Sequence, residues 1–332
     1  MVLRIGVVGL GCDWESRHRP ALHSLQDRYK VEFICDEVAL RARNAASQFN
    51  AMAPRGFRHA IDGEQIDAVF LLDQQWTGLL PLQSACAAGK AVYLNTALEM
   101  DAQSQQEVVR LVEATKVPFM IEFPRRFAPA TIRLKELIAT QLGRPKLIFC
   151  HHRLTPASCG SNPRSLVIQR SLAEIFDWCR YIVDGKPDSL FSVSYPRAEN
   201  PSDIEYQMLS VDFQTKDDSA ERVVAQISAG TYLRSDWPEA VSFRPPAAMQ
   251  VCCENGIAFI DLPNTLIWFN GAGRHMESLE GERPVGERLF AAFHRLLENG
   301  NSHFDCLSEF RESTRVIQAA RQSIAENRRI DF

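Results

Sequence analysis

The stretch LRIGVVGLG at residues 3–11 places an apolar, β-branched run directly before two glycines, Gly9 and Gly11. Such a run predicts a short buried strand, and the glycines predict a tight turn at its end. A helical pattern then covers about residues 19–29. The amino terminus therefore has the order strand, glycine turn and helix, which is how a parallel sheet with crossover helices begins.

The same alternation continues through the first third of the chain. Further strands are predicted at 31–35, 68–72, 91–94 and 118–122, and helices at 39–49, 79–88 and 104–115. Strands that alternate with helices of this length pair in parallel through right-handed crossovers. We therefore predict a doubly wound parallel sheet, of class α/β, over residues 1–123.

From residue 146 onward the pattern changes to consecutive strands. They are predicted at 146–153, 190–195, 206–213, 222–227, 249–253, 257–260 and 265–269. One helix is predicted at about 165–183 and another closes the chain at 307–327. Strands that follow one another through short turns form antiparallel sheets. We therefore predict a second domain, of class α+β, over residues 124–332.

Charge and composition exclude several classes of protein. The chain has 332 residues and a formal charge of -4, so no positive surface for DNA or RNA is expected. No apolar run reaches the roughly 18 residues that span a bilayer, and no cleavable signal segment is recognisable, so we expect a cytoplasmic protein without a membrane partner. The nine cysteines contain no CxxC pair, which predicts reduced thiols and no metal site.

Segments spread over nearly the whole chain form a specific combination. They are RIGVVGLG, ICDEVALRARNAASQF, IDAVFLL, ACAAGKAVYL, EFPRRFAPATIRLKEL, MQVCCENGIAFIDLP and AAFHRLLENGNSHFDCLSEFRESTRVIQAARQSI. In this order and spacing they resemble the Gfo/Idh/MocA family of NAD(P)-dependent sugar and polyol dehydrogenases. The resemblance implies a Rossmann domain for NAD or NADP, a second domain with an open antiparallel sheet, and a sugar, polyol or related substrate. It also implies a homodimer or homotetramer formed through that sheet.

Two positions depart from the usual catalytic residues of the family. Members usually carry Glu-Lys-Pro after the strand at 91–94, where this chain has Asn95-Thr96-Ala97. Members also usually carry a histidine on the helix at 165–183, where this chain has Glu174. The resemblance therefore implies an atypical member that lacks the usual lysine and histidine.

Oxidation of a hydroxyl by hydride transfer needs a group that accepts the hydroxyl proton. Glu174 is the first candidate, and the alternative is that it forms an i,i+4 ion pair with Arg170. His152 or its neighbour His151 is the second candidate, and the alternative is a structural hydrogen bond. Thr96 occupies the place of the lysine and is the third candidate, although a hydroxyl cannot accept the proton alone.

The glycine turn predicts part of the cofactor site. Gly9 and Gly11 allow the backbone to approach a pyrophosphate. Asp36 follows the second strand, where a carboxylate accepts hydrogen bonds from ribose hydroxyls and repels a 2′-phosphate, so NAD is favoured over NADP. The alternative is that Asp36 only caps the next turn.

Acidic residues directly after the turn oppose this prediction. Asp13 and Glu15 are unfavourable close to a pyrophosphate, because like charges repel. The basic residues that follow them, Arg17, His18 and Arg19, are available to offset this charge.

Three further residues are predicted at the cofactor site from their places after strands. Asp73 and Asn95 follow the strands at 68–72 and 91–94, at the edge where ligands gather in such sheets. Arg126 follows the strand at 118–122, next to Arg125. For this arginine pair, binding of an anion and a salt bridge to Asp73 or Glu122 are equally open.

Two functions from different classes are left open. The first is an NAD-linked oxidoreductase that acts on a sugar, polyol or related small molecule. The alternative is a family member without redox activity that binds a ligand or a partner protein, because the usual proton-handling residues are replaced. A subunit that uses the open sheet only for assembly is a third hypothesis. Titration with NADH separates the first from the others.

Overall fold

The structure is a computed structural model that describes residues 1–63, 65–95, 102–154, 164–197, 200–215, 222–231, 247–299 and 306–332. It contains two compact units. The first comprises Met1–Pro124 and Arg283–Arg311, and the second Arg125–Glu282 and Glu312–Phe332. The predicted division between residues 123 and 124 stays a prediction, and the structure differs from it in placing Arg283–Arg311 with the first unit.

The first unit is built on a parallel five-stranded sheet in the order β2-β1-β3-β4-β5. Its strands are β1 (Leu3–Val8), β2 (Tyr29–Cys35), β3 (Ala68–Leu71), β4 (Ala91–Leu94) and β5 (Phe119–Ile121). Every residue of β3, β4 and β5 is buried, as expected for strands covered on both faces by helices. The predicted doubly wound sheet is confirmed.

Helices lie between these strands. They are α1 (Arg19–Ser24), preceded by a helical turn at Trp14–His18, α2 (Ala39–Ser47), α3 (Arg58–Asp62), α4 (Leu80–Ala87) and α5 (Ala102–Thr115). Gly89 has a φ of 65° just after α4, which confirms the predicted glycine stop. A further helix of this unit, α8 (Val285–Glu298), was not predicted. It buries Phe290 and Phe293 against Phe70.

The second unit contains a nine-stranded sheet in the order β13-β12-β11-β10-β6-β9-β8-β7-β14. Its strands are β6 (Pro145–Arg153), β7 (Gly185–Arg197), β8 (Asn200–Thr215), β9 (Arg222–Gly230), β10 (Met249–Cys253), β11 (Gly256–Asp261), β12 (Thr265–Asn270), β13 (Gly273–Ser278) and β14 (Ile330–Asp331). Its helices are α6 (Pro129–Leu137), α7 (Arg164–Val183) and the end of α9 (Cys306–Glu326).

The predicted open antiparallel sheet is confirmed as a mostly antiparallel sheet, with one parallel pairing. β6 pairs with β9 in parallel, whereas the other neighbours are antiparallel. The reason is the crossover helix α7, which carries the chain back so that β7 starts in the same direction as β6. The antiparallel pairings of β7 with β8 and of β8 with β9 return β9 to that direction.

The core of the second unit lies on one face of its sheet. Phe176 and Trp178 of α7 are fully buried, and Phe176 stacks on Phe213 of β8 with ring centroids 5.8 Å apart. The opposite face carries partly exposed apolar side chains that the strand register places on the same side. They include Phe149, Tyr195, Met208, Phe269 and Met276.

Candidate functional site

The turn after β1 has the backbone geometry that only glycine adopts without strain. Gly9 and Gly11 have φ values of 73° and 61°. A Cβ atom at Gly9 would lie 2.3 Å from the Asp73 backbone oxygen, and one at Gly11 would lie 2.6 Å from the Leu72 oxygen. The backbone N–H of Leu10 donates to Asp36 Oδ2 at 3.0 Å. The turn is therefore held between the ends of β2 and β3.

Asp36 supports this turn with a buried carboxylate. Its side chain is 4% exposed, and Oδ1 accepts a hydrogen bond from the Val38 N–H at 3.0 Å. Arg41 lies 3.8 Å from the same oxygen. The alternative that Asp36 caps the following turn is thus observed, together with its bond to the glycine turn. Its contact with a ribose stays a prediction.

The two acidic residues after the turn are each paired with an arginine one helical turn later. Arg17 lies 3.1 Å from Asp13 Oδ1, and Arg19 lies 2.9 Å from Glu15 Oε2. These pairs confirm that arginines offset the acidic residues, whereas His18 has another partner. The negative charge of Asp13 and Glu15, at the helical turn before α1, is therefore balanced by nearby arginines.

A buried charged cluster at the end of β5 was not predicted as a site. Glu122 accepts hydrogen bonds from Arg17 and, at 2.9 Å, from the hydroxyl of Tyr93. His18 Nε2 lies 2.9 Å from the same carboxylate, and its other ring nitrogen has no partner among the described residues. The only signal in the sequence was a charged residue directly after a buried strand, at the edge where ligands gather.

The partners of Glu122 decide its protonation. Burial alone would raise the pKa of the carboxyl group, but His18 and Arg17 outweigh burial and hold that pKa at about 2. Burial and the neighbouring carboxylate raise the pKa of Tyr93 well above its usual value. Glu122 is therefore a carboxylate and Tyr93 a neutral donor at neutral pH.

Two other predicted cofactor residues lie at the ends of β3 and β4. Asp73 Oδ1 accepts a hydrogen bond from the Gln75 N–H at 3.0 Å. Asn95 is buried, and its side-chain amide donates to the Leu72 oxygen at 3.4 Å. Thr96 lies outside the described residues. The Asp73 backbone thus occupies the space that a side chain at position 9 would need, whereas the Asn95 amide donates to the end of β3.

In the second unit, the two consecutive histidines of β6 face opposite sides of the sheet. His151 Nδ1 lies 2.8 Å from Ser228 Oγ of β9, and His152 Nδ1 lies 2.5 Å from Ser171 Oγ of α7. Burial and Arg125 lower the pKa of His152 to about 4, against a smaller opposing effect of Glu174. His152 is therefore a neutral imidazole at neutral pH.

Glu174 lies close to this histidine but is held by arginines. Arg170 Nε donates to Glu174 Oε1 at 3.0 Å, which confirms the predicted i,i+4 pair. Arg125 Nε lies 3.8 Å from the other oxygen. Burial alone would raise the pKa of Glu174, but Arg170 and Arg125 outweigh it and lower that pKa. The carboxylate is a weaker proton acceptor than the sequence alone suggested.

Arg126 is paired within the second unit. Its guanidinium makes a two-pronged salt bridge to Asp177 of α7, with Nε 2.7 Å from Oδ2. Of the two alternatives predicted for the arginine pair, anion binding and a salt bridge, Arg126 forms the salt bridge. Its partner is Asp177, whereas Asp73 or Glu122 was predicted. A bidentate pair of this kind leaves Arg126 little capacity for a cofactor.

The structure groups the predicted residues into two sets. Gly9, Gly11, Asp36 and Asp73 come together in the first unit, and His152 and Glu174 come together in the second. Among the described residues, no three His, Cys, Asp or Glu side chains are arranged to hold a metal ion. In the same part of the chain, no helix is long and apolar enough to cross a membrane.

Comparison with known families and curated proteins links this chain to oxidoreductases. Residues 3–123 match the oxidoreductase family with an NAD-binding Rossmann fold. Inositol 2-dehydrogenase 4 of Saccharopolyspora erythraea is 29% identical over 199 residues, which are 59% of this chain and 58% of that protein. Inositol 2-dehydrogenase of Rhodococcus erythropolis is 28% identical over 239 residues, 69% of this chain and 66% of that protein. Both matches span less than two thirds of the relative's length.

Solved structures match over almost the full length. An oxidoreductase from Thermotoga maritima has a TM-score of 0.81 at 15% identity, covering 100% of this chain and 98% of that one. UDP-N-acetylglucosamine 3-dehydrogenase GnnA from Acidithiobacillus ferrooxidans has a TM-score of 0.76 at 16% identity, covering 98% and 99%. At these identities the likeness shows the fold alone, a parallel Rossmann sheet and a separate, mostly antiparallel sheet. The family model over residues 3–123 and the two sequence relatives support the family predicted from the sequence.

Proposed function

We propose, on the premise that residues 3–123 form an NAD-binding Rossmann domain of the oxidoreductase family, that the whole chain is an NAD-dependent dehydrogenase of the Gfo/Idh/MocA type. Its substrate class is a sugar, polyol or related small molecule. The observation that carries the proposal is the glycine turn after β1, held by Asp36 and followed by acidic residues that arginines neutralise. The alternative without redox activity is not favoured, because the curated relatives named above are dehydrogenases.

The residues of the first unit fit a dinucleotide. The glycines give a turn without side chains, and the neutralised acidic residues remove the repulsion that an unpaired carboxylate would exert on a pyrophosphate. Asp36 is proposed to accept hydrogen bonds from the adenosine ribose and so to favour NAD over NADP. Arg41, 3.8 Å from the Asp36 carboxylate, weakens the repulsion that this carboxylate exerts on a 2′-phosphate. When bound, NAD supplies the acceptor for the hydride that leaves the substrate carbon.

His152 is assigned the role of accepting the proton of the substrate hydroxyl. If Nδ1 carries the ring proton and donates to Ser171, then Nε2 keeps the lone pair that accepts. The C–H bond gives its electron pair as hydride, the O–H proton passes to Nε2, and a carbonyl remains. Glu174 is assigned a positioning role, in which its carboxylate forms ion pairs with Arg170 and Arg125. This arrangement replaces the usual lysine and histidine, so the protein is proposed to be an atypical member.

Titration with NADH tests the proposal directly. Energy transfer from tryptophan to bound NADH is expected to saturate at sub-millimolar concentration, and NADPH is expected to bind more weakly because Asp36 repels a 2′-phosphate. Absence of binding by either nucleotide at millimolar concentration would remove the dehydrogenase proposal.

Replacing His152 by Asn distinguishes the two proton acceptors. We expect turnover of a sugar or polyol substrate to fall by about 10²- to 10⁴-fold, because general base catalysis contributes about that much, while NADH affinity stays unchanged. Glu174→Gln is the matched comparison and should have the smaller effect. Since the base must be unprotonated, the wild-type rate should hold steady from pH 7 down to about 5 and decline only towards the pKa of about 4. A larger loss in Glu174→Gln than in His152→Asn would reverse the assignment.

The open face of the second sheet is proposed to mediate a homodimer or homotetramer. Phe149, Met208 and Phe269 are 37%, 36% and 40% exposed on that face, and exposed apolar side chains gathered on one face mark association sites. Light scattering after gel filtration is expected to give the mass of two or four chains, and Phe149→Glu should shift it towards one. Met52→Glu, at an exposed methionine of the first unit, is the control that should leave the mass unchanged. A wild-type protein of single-chain mass would contradict the proposal.

A further inference from the structure

We infer that the substrate carries an anionic oxygen group, a carboxylate or a phosphate, that binds Arg125 next to His152. The inference rests on the proposed dehydrogenase function and deepens it by naming the class of substrate. It departs from the neutral inositol in the names of the curated relatives.

Arg125 is a half-buried guanidinium with unused hydrogen-bonding capacity. Its side chain is 16% exposed and lies over the ring of Trp178, with the guanidinium carbon 5.4 Å from the ring centroid. Its Nε atom is buried and has no hydrogen-bond acceptor among the described residues. Leaving a buried donor of a charged group unpaired is costly, so such a group is expected to meet a ligand or water.

Two neighbouring arginines, Arg126 and Arg170, differ from Arg125 because each donates hydrogen bonds to a carboxylate. Arg126 makes a bidentate pair with Asp177, and Arg170 donates to Glu174 at 3.0 Å. Glu174 is 3.8 Å from Arg125 Nε, which is an ion pair without a hydrogen bond. The hydrogen bond of this carboxylate therefore goes to Arg170, and the Nε donor of Arg125 is left for another oxygen.

The unsatisfied donor of Arg125 belongs to the same cluster as the proposed proton acceptor. Arg125 acts electrostatically on His152, as does Glu174, so the three side chains share one electrostatic environment. The planar fork of a guanidinium matches the two oxygens of a carboxylate or phosphate. A substrate bound in this way would present a hydroxyl near its anionic group to His152, as a sugar acid or a phosphorylated polyol does. A neutral polyol would offer the guanidinium only an uncharged acceptor, which binds it less strongly.

A substrate panel with matched charge tests the inference. Glucuronate and inositol monophosphate are compared with glucose and myo-inositol by following NADH formation from NAD. We expect kcat/KM for at least one anionic compound to exceed that of its neutral counterpart by tenfold or more. The compound that responds distinguishes a carboxylate from a phosphate. Arg125→Gln should remove this preference mainly through KM, and Arg125→Lys should restore it in part.

A second measurement does not depend on turnover. The same anions should raise the melting temperature of the wild-type protein and of Arg328→Gln, an exposed arginine of the second unit, but not that of Arg125→Gln. Equal effects of the anions on wild type and Arg125→Gln, or a preference for neutral substrates unchanged in Arg125→Gln, would overturn the inference. Those results would leave the dehydrogenase proposal intact, because that proposal fails only if NADH and NADPH do not bind.

Discussion

Replacing Glu122 by Gln is expected to lower the free energy of unfolding by about 3–5 kcal/mol at pH 7, the cost typical of breaking a buried ion pair on one side. The side chain of Glu122 is fully buried, and Arg17, His18 and Tyr93 all converge on it. An uncharged amide cannot compensate Arg17 or accept from all three. Urea unfolding followed by circular dichroism measures the loss. Glu107→Gln is the control, because the pair of Glu107 with Arg110 is exposed and its loss should not measurably change stability.

The same carboxylate gives stability a defined dependence on pH. Its pKa of about 2 lies below the ordinary value of 4.5 that applies to the unfolded chain. A lowered pKa contributes stability that is fully present above about pH 4.5 and is lost as pH falls towards 2, in total about 3 kcal/mol. The stability of Glu122→Gln should therefore fall less steeply than that of wild type between pH 5 and 2. Equal slopes in the two proteins would show that Glu122 titrates normally.

Replacing Gly9 by Ala is expected to weaken NADH binding by more than tenfold and to destabilise the first unit. The new Cβ atom would lie 2.3 Å from the Asp73 backbone oxygen, and the φ of 73° is itself strained for alanine. Because the contact is with backbone, the turn must move away from the end of β3. The tryptophan-to-NADH titration measures the affinity, and thermal unfolding measures the stability.

Gly89→Ala separates the effect of backbone strain from the effect of a steric clash. Gly89 has a φ of 65°, but a Cβ atom there would meet nothing within 4 Å. This variant should lose only about 1–2 kcal/mol, the penalty for a left-handed residue, and should keep its NADH affinity. If Gly9→Ala bound NADH as well as Gly89→Ala does, the turn would not be part of the nucleotide site.

The features predicted correctly are those whose physical cause lies within a few neighbouring residues. The strand LRIGVV, the glycines after it and the stop at Gly89 follow from local periodicity and backbone preference, so their places were predicted to within a few residues. The Arg170–Glu174 pair was predicted for the same reason, since residues four apart on a helix are neighbours. The alternating order of strands and helices in turn determined the doubly wound parallel sheet.

Only the tertiary structure decided which distant side chains meet. Arg17 and Glu122 are 105 residues apart, and Arg126 and Asp177 are 51 apart, so no local pattern relates them. The parallel pairing of β6 with β9 likewise depends on where the crossover helix returns the chain. Local backbone preferences determine the elements, but long-range packing and the pairing of buried charges determine their partners. For that reason the fold class of this protein could be predicted from its sequence, whereas the ion pairs between residues far apart in the chain could not.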